Sequence, residues 1–252
     1  MRFGFCASAE QSALIAAAGY DYLEWPLAPM MEIPTEETVL AGLKLQPEAF
    51  NVFLPGDLKV VGTEVDPARQ TRYLESAFAR AAALGGKVVV FGSGRSRRVP
   101  DGFEREIAER QTVEFLRRCA PPAAAEGITL VIEPLNTGEC NHINSVAEAV
   151  ALAQAVDHPA VRVLSDLYHV SFEGQSYAET RAAGSWLHHV HVAGAEGRRV
   201  PNAEDVDYLA AFFRVLKESD YSGRISVEGT SNDLPREAAE ALAVLHRAWE
   251  IA

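Results

Sequence analysis

Short runs of β-branched and aromatic residues alternate along this chain with longer stretches that are rich in alanine and leucine. Runs of the first kind are typical of β-strands, and stretches of the second kind are typical of amphipathic helices. The pattern predicts eight strands: RFGFC (2–6), YLEW (22–25), AFNVF (49–53), KVVVF (87–91), TLVIE (129–133), VRVLSD (161–166), HHVHV (188–192) and RISVE (224–228).

Helices are predicted between the strands, with shorter helical segments after the second and sixth. The longer ones cover residues 9–19, 66–86, 101–127, 145–156, 205–220 and 235–252. Gly19 is a typical helix end, and Ser145 with Glu148 has the spacing of a capping box. We expect a break at Pro121 and Pro122, because proline lacks the N–H that a helix interior needs.

Eight strand–helix units in a chain of 252 residues predict an α/β protein with one domain, a (β/α)8 TIM barrel over residues 1–252. The alternative is an open, doubly wound sheet. That fold usually carries a glycine-rich loop directly after its first strand. Here the first strand leads into ASAEQ, which lacks the G-x-G-x-x-G pattern, so the barrel is favoured.

Charge and cysteine content narrow the class of protein. The net charge of −12 argues against non-specific binding to nucleic acid or anionic membranes, because such binding needs a basic surface. No apolar run approaches the length of a membrane span, and the N-terminus lacks the apolar stretch of a secretory signal. Cys6, Cys119 and Cys140 are odd in number and lack C-x-x-C spacing, so we expect a cytoplasmic protein without disulfides.

Metal-binding residue types stand at the ends of four successive predicted strands, where barrel enzymes place their active sites. They are Glu133, Asp166, His191 and Glu228. A carboxylate at a strand end is often only a helix cap or an ion-pair partner, so the argument rests on the coincidence across four strands. Three carboxylates in one barrel mouth repel each other unless a cation joins them. The sequence therefore predicts one divalent metal ion, and an oxygen-rich set with one imidazole suits Mn²⁺, Mg²⁺ or Co²⁺.

Four further features are predicted near this mouth. His189 shares strand parity with His191 and is expected one layer deeper, beside the ligands or in the core. Glu24 ends the second strand and is expected to contact either the substrate or the metal ligands. The loop FGSGRSRRVP (91–100) has the residues to bind a phosphate or carboxylate, although a flexible basic loop is the favoured interpretation. Trp25 and Phe53 are interpreted as an apolar wall of the binding site or as barrel packing.

Four motifs resemble the sugar phosphate isomerase/epimerase superfamily of xylose-isomerase-like TIM barrels, and within it the D-tagatose and D-psicose 3-epimerases. They are EPLN with Glu139 after it, SDLYH, HVHVAGAEGRRVP and ISVEG. The resemblance implies that the four strand-end residues bind the metal, with Mn²⁺ preferred. It implies that Glu133 and Glu228 are the catalytic acid/base pair. It also implies substrate contacts from Glu139, His169 and Arg198.

The function implied by the resemblance is epimerisation or isomerisation of a ketose, or of a related polyhydroxy carbonyl compound, through a cis-enediolate. Homodimers or homotetramers are common in the family. Two departures leave the substrate open. Thr137 stands where the epimerases usually carry arginine, and a loop one residue longer makes Arg199 a rival of Arg198.

Four alternative functions stay open on the same barrel. The first two are an inosose-type dehydratase and a hydroxypyruvate-type isomerase. The third is an abasic-site endonuclease, which needs several zinc ions, more histidine ligands and a basic surface. Seven histidines and a charge of −12 argue against it. The fourth is a non-catalytic sugar-binding barrel.

Overall fold

In the computed structural model, which describes residues 1–33 and 42–252, eight parallel strands close into a barrel in chain order. They are β1 (Arg2–Cys6), β2 (Tyr22–Glu24), β3 (Pro47–Phe50), β4 (Val88–Phe91), β5 (Thr129–Ile132), β6 (Val161–Asp166), β7 (Leu187–Val192) and β8 (Arg224–Val227). Pairing of β1 with β8, which sets Phe3 opposite Ile225, closes the ring. The predicted (β/α)8 barrel is confirmed.

Helices follow the strands and surround the barrel. They are α1 (Ser12–Ala18), α2 (Leu27–Met30), α3 (Pro67–Ala83), α4 (Gly94–Arg97), α5 (Arg105–Ala125), α6 (Val146–Val156), α7 (Leu167–Phe172), α8 (Ala178–Ala183), α9 (Val206–Glu218) and α10 (Leu234–Ile251). The rest of the segment predicted after the second strand, residues 34–41, lies outside the described residues. Within the described ranges, no helix combines the length and apolarity needed to cross a membrane.

Local signals set the ends of several helices as predicted. Gly19 ends α1 with a φ of 97°, a left-handed conformation that glycine adopts without strain. Asp66 begins α3 by accepting a hydrogen bond from the Arg69 N–H. Ser145 begins α6 by accepting one from the Glu148 N–H, and the Glu148 carboxylate accepts from the N–H of Asn144. These local signals define where α3 and α6 begin and where α1 ends.

The predicted break at Pro121 and Pro122 is wrong, since α5 runs without interruption through both prolines to Ala125. The two prolines remove two N–H donors near the end of the helix. The helix continues because Cys119, Ala120 and Ala123 are buried against the core, and this packing outweighs the lost hydrogen bonds.

Side chains that point into the barrel fill its interior. They form a separate buried cluster of Tyr22, Ala49, Val88, Val90, Val131 and Leu164. Because side chains alternate along a strand, residues two positions further on point inward as well. Val131 is followed in this way by Glu133, and Leu164 by Asp166. One alternation thus builds the apolar floor and aims the polar residues at the mouth.

Gly4 tests how tightly this interior is packed, because a Cβ at Gly4 would lie 2.2 Å from the ring of Tyr22. We expect Gly4→Ala to lower the free energy of unfolding by about 1–3 kcal/mol through overpacking. Urea denaturation measures the change. Gly42→Ala is the matched control, since a Cβ there has no atom of the described residues within 4 Å. Equal stability of both variants would contradict a closely packed interior.

Candidate active site

A cavity of about 570 Å³ opens at the carboxyl ends of the strands. Glu133, Glu139, Arg198 and Glu228 are among the residues that line it. A larger groove of about 790 Å³ lies on the outside of the barrel between α5 and α6, away from these carboxylates. The mouth cavity is therefore the candidate active site, as expected for a barrel of parallel strands.

The four strand-end residues meet at the wall of this cavity. Ligand atoms of Glu133, Asp166, His191 and Glu228 all lie within 4.8 Å of one another. His191 Nδ1 lies 3.1 Å from Glu133 Oε1 and 3.2 Å from Glu228 Oε2. The Oδ2 atom of Asp166 is buried and has no hydrogen-bond partner among the described residues.

These residues form a candidate metal site that fits a divalent ion. Three carboxylates and one imidazole provide mainly hard oxygen ligands, and the unpartnered Asp166 oxygen provides a free ligand atom. Gly92 at the end of β4 leaves room for the cluster, because a Cβ there would lie 1.8 Å from Glu133 Oε2. The other group of metal-ligand types among the described residues, Cys6 with Glu24 and His191, shares its histidine with this one.

The two glutamates differ in their electrostatic surroundings. Burial raises the pKa of Glu133, and the hydrogen bond with His191 offsets this only in part. Burial also acts to raise the pKa of Glu228, but the charges of His191 and Arg198 outweigh it and lower that pKa to about 2. Glu133 and Glu228, which both contact His191, therefore have pKa values that are shifted in opposite directions. Such a difference is common in acid/base pairs.

Glu24 lies beneath the cluster and is fully buried. Its Oε1 lies 2.8 Å from His191 Nε2, and its Oε2 lies 2.8 Å from His189 Nε2. Ser226 donates a further hydrogen bond to Oε2. Of the two expectations for Glu24, these contacts favour the one with the metal ligands over the one with substrate. A carboxylate on one nitrogen of a histidine fixes which nitrogen faces the metal, here Nδ1.

His169, Glu139 and Arg198 lie around the same mouth. The backbone and side-chain amides of Asn136 both donate to His169 Nδ1, at 3.2 and 2.9 Å, so its Nε2 carries the proton. That Nε2 lies 3.5 Å from Asp166 Oδ2. Arg198 donates to Glu139 at 3.0 Å and to Glu228 at 2.6 Å.

The two rival arginines face in different directions. Arg198 has a φ of 52° and stacks over the ring of Tyr168 at 4.8 Å, which aims its guanidinium into the mouth. Arg199 instead donates to the buried carboxylate of Asp205, at 2.5 and 3.2 Å. Of the two arginines, Arg198 is therefore the one that can contact a molecule bound in the mouth cavity.

The loop after β4 was expected to be a flexible basic loop, but one of its arginines is buried and contacts the protein interior. Arg97 is fully buried and donates to the backbone carbonyls of Phe91 and Glu133, at 2.8 and 2.6 Å, so it anchors the ends of two strands. Arg95 lines the cavity as a rim residue. Trp25 and Phe53 are both buried, which supports their interpretation as barrel packing.

Sequence reasoning missed Asn51, which lies at the mouth, and it placed Gly92 only in the loop 91–100 without predicting its closeness to Glu133. Asn51 donates from Nδ2 to Glu228 Oε1 at 3.1 Å. The predicted third strand, 49–53, placed Asn51 in the middle of a strand, whereas β3 ends at Phe50. The strand-end rule that found the four ligands would have found Asn51 with the correct boundary.

Comparison with known proteins covers nearly the whole barrel. Residues 12–248 match a family described as the xylose isomerase-like TIM barrel. The L-ribulose 3-epimerase of Methylomonas sp. (strain DH-1) is 31% identical over 229 residues, covering 87% of this chain and 77% of that protein. The hydroxypyruvate isomerase of Escherichia coli (strain K12) is 27% identical over 235 residues, covering 90% and 88%. The crystal structure of D-allulose 3-epimerase from Methylomonas sp. in complex with D-allulose is 26% identical with a TM-score of 0.84, covering 98% of this chain and 97% of that chain.

We expect chelator-treated protein to take up one divalent ion per chain. Asp166→Asn should weaken that binding by more than about 100-fold, since residues outside the ligand set alone commonly account for about 10–100-fold. Asparagine still accepts the N–H of Tyr168 that Asp166 caps at the start of α7, so the fold is preserved. Calorimetric titration with MnCl₂ measures both values. Protein that binds no divalent ion would contradict the site.

Glu24→Gln tests the support beneath His191. Loss of the negative charge behind the imidazole should weaken Mn²⁺ binding by about 10–100-fold without unfolding the barrel. Competition with a fluorescent chelator gives the affinity, and circular dichroism gives the fold. Glu48→Gln is the control, because Glu48 pairs with Arg224 at the start of β8, at the other end of the strands. Equal Mn²⁺ affinity in both variants would remove the role assigned to Glu24.

Proposed function

The chain belongs to the xylose isomerase-like TIM barrel family, and from this premise we propose that it is a divalent-metal-dependent sugar epimerase or isomerase. The proposed substrate is a ketose or a related polyhydroxy carbonyl compound. The observation that carries the proposal is the meeting of Glu133 and Glu228 on His191 at the wall of one cavity. The epimerase and isomerase relatives support the same class of reaction.

The proposed metal ligands are Glu133, Asp166, His191 and Glu228, with Mn²⁺ as the preferred ion and Mg²⁺ or Co²⁺ as alternatives. When bound, such an ion would polarise the substrate carbonyl and stabilise negative charge on an enediolate. Glu24 would hold His191 in the ligating orientation through Nε2. The chain itself then has to move protons and orient the substrate.

Proton transfer is proposed for Glu133 and Glu228. They follow β5 and β8, which are separated by β6 and β7 in the ring of strands. A carboxylate on one side of the substrate removes the proton next to the carbonyl, which leaves a cis-enediolate. The carboxylate on the other side returns a proton and so inverts the carbon. Glu228 receives hydrogen bonds from Arg198 and Asn51, whereas Glu133 receives neither, which supports different roles for the two groups.

Orientation of the substrate oxygens is proposed for His169, Arg198 and Glu139. His169 carries its proton on Nε2, which lies 3.5 Å from Asp166 Oδ2 beside the proposed metal ligands, and we propose that it donates to an enediolate oxygen. Arg198 can donate to a neighbouring oxygen while it holds Glu228. Glu139 accepts from Arg198 and lines the cavity, where it can accept from a substrate hydroxyl. Donors placed before the reaction lower the cost of developing charge.

Aldose–ketose isomerisation is the second candidate function. It is supported by the hydroxypyruvate isomerase relative, which matches 90% of this chain. In that reaction one carboxylate both removes and returns the proton, between neighbouring carbons. The same two glutamates could support either outcome, and the position of proton exchange separates them.

Exchange with solvent deuterium tests the proposal. Mn²⁺-loaded protein in D₂O should introduce deuterium at carbon 3 of a ketose if it epimerises there, and at carbon 1 if it isomerises. Glu133→Gln and Glu228→Gln should each lower kcat by about 10²–10⁴-fold, the usual range for general acid–base catalysis. Nuclear magnetic resonance of the recovered sugar measures the exchange. Binding of ketoses without any exchange would instead indicate a non-catalytic sugar-binding barrel.

A further inference from the structure

Asn51 follows β3 and lies beside the proposed proton carrier Glu228. Its side chain is 6% exposed and lines the mouth cavity. The amide Nδ2 donates to Glu228 Oε1 at 3.1 Å. This contact reaches the Glu228 oxygen that Arg198 leaves free, since Arg198 donates to Oε2.

Chemistry fixes which way the Asn51 amide points. An ionised carboxylate accepts hydrogen bonds and donates none, so the NH₂ of the amide must face Glu228. The carbonyl oxygen Oδ1 must then face away from it. This oxygen is buried and has no hydrogen-bond partner among the described residues. A buried carbonyl without a partner is unfavourable and calls for an explanation, such as a bound donor.

The backbone conformation next to Asn51 also supports a functional role for this segment. Val52 has a φ of 45°, which is a strained conformation for a β-branched residue, and its side chain is 48% exposed. The carbonyls of Asn51 and Val52 are held by the N–H groups of Leu27 and Ala28, at 2.8 and 2.9 Å. Strain that neighbouring contacts hold in place is commonly found at functional sites.

We propose that Asn51 positions Glu228 through its NH₂ group and recognises the substrate through its carbonyl oxygen, which accepts a hydrogen bond from one hydroxyl of a polyhydroxy carbonyl compound. The inference rests on the proposed function and deepens it. It predicts that Asn51 Oδ1 accepts a hydrogen bond from one particular substrate hydroxyl, on the side of the cavity where Glu228 lies.

Substrate analogues that each lack one hydroxyl test the recognition. Wild-type protein loaded with Mn²⁺ should lose about tenfold in kcat/KM on one monodeoxy ketose, which is the effect of one neutral hydrogen bond. In Asn51→Ala this difference should disappear at that position and persist at the others. Calorimetric binding of the same sugars should show the same pattern in Kd. Loss of the Asn51 hydrogen bond to Glu228 should weaken Mn²⁺ binding by up to about 10–100-fold, so every sugar is compared at saturating Mn²⁺.

Asn51→Asp separates the two roles. It keeps the shape and an acceptor oxygen, so discrimination between the ketose and its deoxy analogue should persist. It replaces the NH₂ donor by a carboxylate against Glu228, so kcat should fall. The matched control is Asn141→Ala, whose amide, among the residues that the structure describes, bonds to the backbone of Val99 and does not line the cavity. We expect this control to leave kcat/KM and discrimination unchanged.

The outcomes distinguish this inference from the function on which it rests. Loss of discrimination at one hydroxyl in Asn51→Ala, with retention in Asn51→Asp, supports it. Equal losses on all analogues, or unchanged discrimination in a folded Asn51→Ala, would overturn it while the enzyme function stands. Absence of turnover and exchange with every ketose in wild type would overturn the proposed function and this inference together.

Discussion

The site depends on one buried imidazole that stands between carboxylates. His191 is fully buried, with Glu24 on its Nε2 and with Glu133 and Glu228 against its Nδ1. Burial acts to lower the pKa of His191, but the charges of Glu24 and Glu228 outweigh it and raise that pKa well above its ordinary value. So many acids repel each other without a positive charge among them; in the proposed metal-bound protein a divalent ion would supply that charge, and His191 would bind it as a neutral imidazole. The surrounding structure is arranged to keep this imidazole in one orientation and the acids within its reach.

The barrel provides that arrangement through simple geometry. Parallel strands end on one rim, and inward side chains recur every two residues, so an apolar floor and a polar mouth lie on the same strands. Packing around the mouth then refines the positions. Arg97 ties the Phe91 and Glu133 carbonyls together, and Gly92 leaves space for the Glu133 carboxylate. Buried contacts of this kind limit how far a ligand can move.

The two sides of the site are unlike each other. Glu228 receives hydrogen bonds from Arg198 and Asn51, whereas Glu133 is more deeply buried and contacts His191. Charge and hydrogen bonding favour the ionised form of Glu228, while burial favours the protonated form of Glu133. An asymmetric pair of this kind supports proton transfer between two faces of a substrate. This difference in surroundings gives a physical reason why Glu133 and Glu228 could have different roles in the proposed proton transfer.

Sequence by itself determined the barrel, the order of its strands and the residues at the ends of β5 to β8. These follow from local periodicity and from a rule about strand ends, both of which can be read along the chain. The tertiary structure alone decided which groups meet across the barrel. Glu24 meets His191 across 167 positions of the chain, and Asn51 meets Glu228 across 177. It also decided that α5 continues through its prolines. Contacts of this kind depend on barrel closure and packing, which no local pattern encodes.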